Sequence, residues 1–196
     1  MLPGEDDSRT SDLALIRRTA GGDLLAFESL VRRHQPAVFR FVSLLVRDGM
    51  DPEEILQETF LAARRTLPRY PEDTPVRSWL LGLARQILHR RDPRWRRQVL
   101  ESAPLRELGE AAGWGRPTDD GERLAERLYD KGFLERTLAA LPPEDREILI
   151  LRDLEGLSGE EAAAVAGLTE GAARTRLLRA RLRLVARLKE GMDDGR

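Results

Sequence analysis

The chain has 196 residues, room for one large or two small domains, with 41% hydrophobic residues, 34% charged residues and a formal net charge of −1. That balance excludes a uniformly basic nucleic-acid binder, so any such contact must come from local clusters of charge. Cysteine is absent, which excludes disulfides, zinc–thiolate sites and cysteine nucleophiles and fits a reducing compartment.

The segment MLPGEDDSRTSD is polar and acidic, unlike a signal peptide. Residues 1–11 read as disordered. No apolar run approaches the roughly 20 residues needed to span a bilayer, and a cytoplasmic location is expected. Asp12 is placed to cap a first helix carrying Leu13, Leu15 and Ile16, which Gly21-Gly22 breaks. Asp23 caps a second helix with Phe27, Leu30, Val31, Val38, Phe41, Val42 and Leu45 on its apolar side. Pro36 marks a kink within it, and Asp48-Gly49 ends it. Asp51-Pro52-Glu53-Glu54 joins a cap residue, a proline at the first helical position and acids in the first turn, a strong helix start. Ile55, Phe60, Leu61 and Ala63 are expected to face a core. Leu67 and Pro68 close that helix, and Arg69–Arg77 is a proline-rich loop. Ser78 is placed to cap the next helix, SWLLGLARQILHRR, which should stop before Pro93.

Residues 98–132 change character. Eight acids stand against five bases, about three net negative charges, and glycines punctuate the segment. It reads as an acidic flexible linker, partly helical around 122–131. A second domain is expected from about Phe133. Its first strong signal is another proline-started helix, Leu141-Pro142-Pro143-Glu144, with Ile148, Leu149 and Leu151 on the apolar side. Ser158 and Glu161 then form a capping-box pattern, Gly167 stands where a left-handed residue ends a helix, and Thr169 can cap the next. This is the layout of a helix-turn-helix, whose second helix enters the major groove of DNA. Ala173, Leu177, Ala180, Leu184 and Leu188 form its core stripe. Residues 174–189 hold seven cations and no acid. Ordinary surface helices alternate signs; this one reads as a phosphate- and guanine-gripping face.

A second basic cluster, Arg77, Arg85, Arg90, Arg91, Arg94, Arg96 and Arg97, faces a single acid, Asp92. Trp79 and Trp95 are interleaved. Trp79 fits a core position beside Leu80 and Leu83. Trp95 is expected to be exposed, either stacking on a base or packing a helix end. Glu53, Glu54, Gln57 and Glu58 make a polar face that is either plain solvated surface or a dock for a basic partner. His34 and His89 lie in no metal-ligating pattern, and no phosphate-loop or nucleophile-elbow motif occurs. Neither catalysis, a metal nor a cofactor is expected. Strand-like alternation is missing, so the fold class is all-α, as two small helical domains.

Three of these segments together resemble a family. DPEEILQETFLAARR is similar to the second-region helix of bacterial sigma-70 factors of the extracytoplasmic-function (ECF) branch. PVRSWLLGLARQILHRR is similar to the helix that reads and melts the −10 element. LPPEDREILILRDLEGLSGEEAAAVAGLTEGAARTRLLRARLRL is similar to the fourth-region helix-turn-helix that binds the −35 element. The resemblance implies a region-2 domain over 12–97, a linker over 98–132, a region-4 domain over 133–190 and a disordered tail over 191–196. It implies core RNA polymerase (the β′ clamp and the β flap) and promoter DNA as partners, and an anti-sigma protein as a third. Carried over, Glu53, Glu54, Gln57 and Glu58 meet the polymerase. Tyr70, Asp73 and Val76 belong to a loop that holds a flipped base. Arg77, Arg85, Arg90 and Arg91 steer −10 phosphates, and Thr169, Arg174, Thr175, Arg176 and Arg179 approach the −35 groove. The chain departs from the family at Gln86 and Arg90, where Asn and Asp are common, and at Ala172-Ala173, where Thr-Val is common. A stand-alone helix-turn-helix regulator and a sigma-like protein without initiation activity are the alternative readings.

Overall fold

A computed structural model describes residues 10–47, 49–92, 95, 105–111 and 131–193. Every element among them is helical, and the chain divides into two compact units, Met1–Asp92 and Pro93–Arg196. The disorder expected for residues 1–9 and the helix expected over 122–130 lie outside the described residues.

In the first unit, α1 (Asp12–Ala20) begins one residue earlier than the sequence suggested: Ser11, not Asp12, is the cap, its hydroxyl accepting from the Ala14 amide at 3.2 Å. Asp23 does cap α2 (Leu24–Leu45), accepting from the amides of Leu25 and Ala26. Gly22 makes the reversal between them at φ 94°, where a side chain would be strained. The helix α2 runs unbroken through Pro36. Asp51 caps α3 (Pro52–Thr66), and its carboxylate accepts from the Glu53 amide at 2.8 Å. A 3-10 turn, Leu67–Arg69, closes α3. The next helix, α4 (Val76–Arg91), starts after Pro75, so Ser78 is no cap but a buried residue of its first turn. The fixed φ of Pro75, −56°, sets the extended entry instead. Helix α2 packs on α1, α3 and α4. Leu30, Val38, Phe41, Val42, Ile55, Leu80 and Leu81 fill the space between them. Leu61 does not join this core; it is 60% exposed.

The second unit contains α5 (Leu105–Ala111), α6 (Lys131–Ala139), α7 (Pro143–Leu149), α8 (Gly159–Ala166) and α9 (Glu170–Asp193). Helix α5, within the expected linker, packs against α9, as do α6, α7 and α8. The last helix runs on through Asp193, so 191–193 are helical where a tail was expected. After α7 the chain widens into a π-type turn, Ile150–Leu154, in which the Glu155 amide donates to the Ile150 carbonyl at 2.8 Å. Arg146 donates to the carbonyls of Ala139 and Leu141, satisfying groups at the end of α6 that have no helical partner. The α8–α9 pair is built as expected. Ser158 and Glu161 make both bonds of a capping box, Gly167 adopts φ 66°, and the Thr169 hydroxyl accepts from the Ala172 amide at 3.3 Å. Leu184 is half-buried; Leu182 is buried in its place.

The capping box is open to a direct check. Ser158→Ala removes one partner of the Glu161 amide, and a lost cap costs about 1 kcal/mol. Amide exchange across 159–166 in the full chain should accelerate accordingly, roughly five-fold, while amides of α3 keep their protection.

Candidate polymerase and nucleic-acid interface

The first candidate surface lies on α3 and α4. A helix places residues three and four apart on one face, so Glu54, Glu58 and the exposed Leu61 follow each other, with Glu53 and Gln57 exposed beside them. The carboxylates also reach across to the last turn of α4. Arg91 donates to Glu54 at 2.6 Å and meets Glu58 at 2.9 Å, and Arg90 donates to the other oxygen of Glu58. The structure therefore joins two sets that the sequence kept apart, the acids expected to dock on polymerase and the arginines expected at the −10 element. The Arg91 guanidinium is held above its ordinary pKa by the hydrogen bond to Glu54 and by the charge of Glu58.

The loop before α4 is shaped by two aromatics. Tyr70 meets Trp79 edge to face, ring centroids 5.1 Å apart at 76°. The Tyr70 hydroxyl donates to the Thr74 carbonyl, closing the loop on itself. Burial pushes the Tyr70 phenol up, helped by the charges of Asp12, Asp73 and Glu72. Arg17 of α1 ties the loop down through Glu72 at 3.0 Å. Asp73 is exposed and available to a ligand, whereas Val76, expected beside it in the loop, is 5% exposed and packs into the core. Arg77 and Arg85 are half-buried on α4. Trp95 is buried, against the expectation of an exposed ring.

Behind the loop, Asp12 accepts from Arg33 at 2.5 Å and from His34 Nε2 at 2.9 Å. The carboxylate thereby assigns the proton of the neutral ring to Nε2.

The second candidate surface is α9. Asp153 takes Arg181 bidentately, at 2.6 and 3.0 Å. Asp145, 2% exposed, takes Arg183. Arg187 pairs with Glu190 at 3.0 Å. These three arginines therefore hold the helix in place or pair along it. Arg174, Arg176 and Arg179 make no ion pair among the described residues, and the Nε of Arg179 is buried without a hydrogen-bond partner. Arg174 is exposed, and Arg176 and Arg179 are half-buried. Thr175 is exposed, but its hydroxyl donates back to the Gly171 carbonyl at 3.0 Å. Its lone pairs remain for a partner.

The sigma-70 region 2 model matches residues 30–99, and the sigma-70 region 4 model matches residues 134–184. The chain is 35% identical over 183 residues to the ECF RNA polymerase sigma factor SigC of Mycobacterium tuberculosis, covering 92% of each chain. The chain belongs to the ECF branch of the sigma-70 family. It is an alternative sigma factor, with α2–α4 in region 2 and α6–α9 in region 4. Solved relatives agree in fold. CnrH in complex with the cytosolic domain of CnrY is 29% identical at a TM-score of 0.63, covering 93% of this sigma factor and 97% of CnrH. The sigma factor RpoE in complex with the anti-sigma factor NepR, from Bartonella quintana, is 25% identical at 0.62, covering 83% and 96%.

Three features of the site were missed by sequence reasoning: the Glu58–Arg90–Arg91 cluster, the Asp145–Arg183 and Asp153–Arg181 struts, and the exposed Leu61. The struts join residues 38 and 28 positions apart, so no local spacing announces them.

His34 gives this site a pH signature. Burial lowers its pKa below the ordinary 6.5, against the opposing pull of Asp12. The unfolded chain then takes up the proton first as pH falls, so stability is full above about pH 6.5 and drops on acidification through the depressed folded value. Urea midpoints followed by tryptophan fluorescence should fall between pH 7.5 and 5.5, and His34→Gln should flatten that fall.

Proposed function

We propose that region 2 docks on core polymerase through the outer face of α3, with Glu53, Glu54, Gln57 and Glu58 as its polar contacts. The loop of Tyr70 and Asp73 receives an unstacked base of the −10 strand, and Arg77, Arg85, Arg90 and Arg91 neutralise its phosphates. Region 4 places the N-terminal half of α9 in the −35 major groove through Thr169, Arg174, Thr175, Arg176 and Arg179. The β flap of the polymerase and an anti-sigma protein complete the set of partners. The protein works in the bacterial cytoplasm as a dissociable specificity subunit and carries no catalytic group of its own. No helix among the described residues is long and apolar enough to cross a membrane.

The observation that carries this reading is the division of arginines on α9. Those that pair with acids, Arg181 and Arg183, lie at and just past its midpoint; those without an ion pair among the described residues, Arg174, Arg176 and Arg179, lie nearer the helix-turn-helix glycine, on the half with which a recognition helix meets base edges. A stand-alone repressor would leave the region 2 face of α3 without a task.

Two measurements test the reading. Core polymerase with the full chain should open promoters from the source genome in reconstituted transcription; no opening at any promoter would sink it. Arg176→Ala should weaken holoenzyme binding to −35 DNA and lower the salt slope by about 1, with core binding unchanged. Arg181→Ala, which loses an internal strut instead, should change the salt slope far less.

A further inference from the structure

The cluster at the α3–α4 seam has a geometry that neither docking nor DNA contact explains alone. Glu58 is one carboxylate with two clients: one oxygen accepts from Arg90 and the other lies 2.9 Å from Arg91. Arg91 spends a second nitrogen on Glu54 at 2.6 Å. Glu58 is 25% exposed on its side chain and Arg91 36%, so these are the less solvated ends of the cluster. Glu54 and Arg90 stand further out, 59% and 63% exposed. Both carboxylates belong to the face assigned to polymerase, and both guanidinium groups to the set assigned to −10 phosphates.

A guanidinium edge held by a carboxylate is not available to a phosphate, and a carboxylate held by a guanidinium is not available to a basic partner. We infer that Glu54 and Glu58 mask Arg90 and Arg91 in the free protein, and that a basic polymerase surface docking on α3 takes over the acids and releases the arginines to DNA. The inference rests on the assignment of α3 to polymerase and α4 to DNA. The exchange makes the two partners help each other: each removes the competitor for the other's contacts. Such coupling is reciprocal by linkage, so lifting the mask from either side must favour the partner of the side uncovered. Its size is set by exposed ion pairs, which contribute little individually and are screened by salt. The device therefore biases the free chain against DNA without locking it.

The test uses the full chain and a fluorescein-labelled single-stranded DNA of mixed sequence, with no polymerase. Glu58→Gln uncovers Arg90 and removes one of the two acids that hold Arg91, which keeps Glu54. Glu53→Gln removes the same charge from the same helix at a residue with no ion pair among the described residues, and so reports the effect of net charge alone. Anisotropy at low salt should show Glu58→Gln binding about two- to five-fold tighter than Glu53→Gln. Its salt slope should be steeper by about 0.7 for each phosphate gained. In the reverse direction, the double variant Arg90→Ala, Arg91→Ala should bind core polymerase more tightly than the native chain. Circular dichroism melts establish that each variant is folded. Equal DNA affinity for Glu58→Gln and Glu53→Gln, or unchanged or weaker core binding by the arginine double variant, overturns the inference. Failure of the underlying assignment reads differently. In that case Glu53→Gln, Gln57→Ala and Glu58→Gln all leave core binding unchanged, and assignment and coupling fall together.

Discussion

Asp145 is 2% exposed, and a carboxylate taken that far from water is tolerable only beside a cation. Burial pushes its carboxyl up, while Arg183 foremost, then Arg176 and Arg179, pull it back toward the charged form. That requirement fixes the register of α9 on α7. Turning the helix by one residue would swing Arg183 away by about 100° and strand the acid. The same register puts Ala173, Leu177 and Ala180 into the core and turns Arg174 outward. The recognition proposed for region 4 thus rests on an ion pair internal to the protein. Arg181 on Asp153 braces the same helix beside Ala180 of the core stripe, and the capping box with Gly167 shapes the turn by which α8 hands over to it.

Carboxylates do the same sorting in region 2. Asp12 takes Arg33 and His34, Glu72 takes Arg17, and Glu54 with Glu58 take Arg90 and Arg91. An arginine-rich chain has more guanidinium groups than a fold needs, and its acids decide which remain for a polyanion. The exposed pairs add little to stability. Their consequence is the placement of positive potential: restrained at the α3–α4 seam, withdrawn from the C-terminal half of α9, and left open after Thr169.

Much of this was legible in sequence where the physics is local. Asp23, Asp51-Pro52, Ser158 with Glu161, and Gly167 act over three or four residues, and each sits where its pattern placed it. Adjacent candidates were harder. Ser11 rather than Asp12 caps α1, because the cap is whichever residue takes the extended backbone, and Asp12 is drawn instead to Arg33 and His34. Ser78 lost its capping role to the fixed entry of Pro75. Faces of helices depend on partners the sequence does not name. Leu61 faces solvent although it neighbours Phe60, and Leu182 is buried half a turn from the stripe that α9 presents to its core. The candidate site suffered most from this. Residue types and order pointed to the partners, but which arginine is spent inward is decided by acids tens of positions away.

Division of labour between two units makes such restraint useful. A net charge of −1 gives the free chain little long-range attraction to DNA, because its acids nearly balance its arginines. On the proposed assignment each unit alone offers a handful of phosphate contacts, and such contacts weaken steeply with salt. Once both are held on one polymerase, the second contact is made at the effective concentration of a tether, and modest affinities multiply. Strong unmasked arginines would undo that arrangement by letting the free subunit collect on nonspecific DNA, of which a genome offers far more than it does promoters. Internal pairing at the surface is therefore the physical counterpart of a near-neutral composition: both keep affinity low until the partners are assembled.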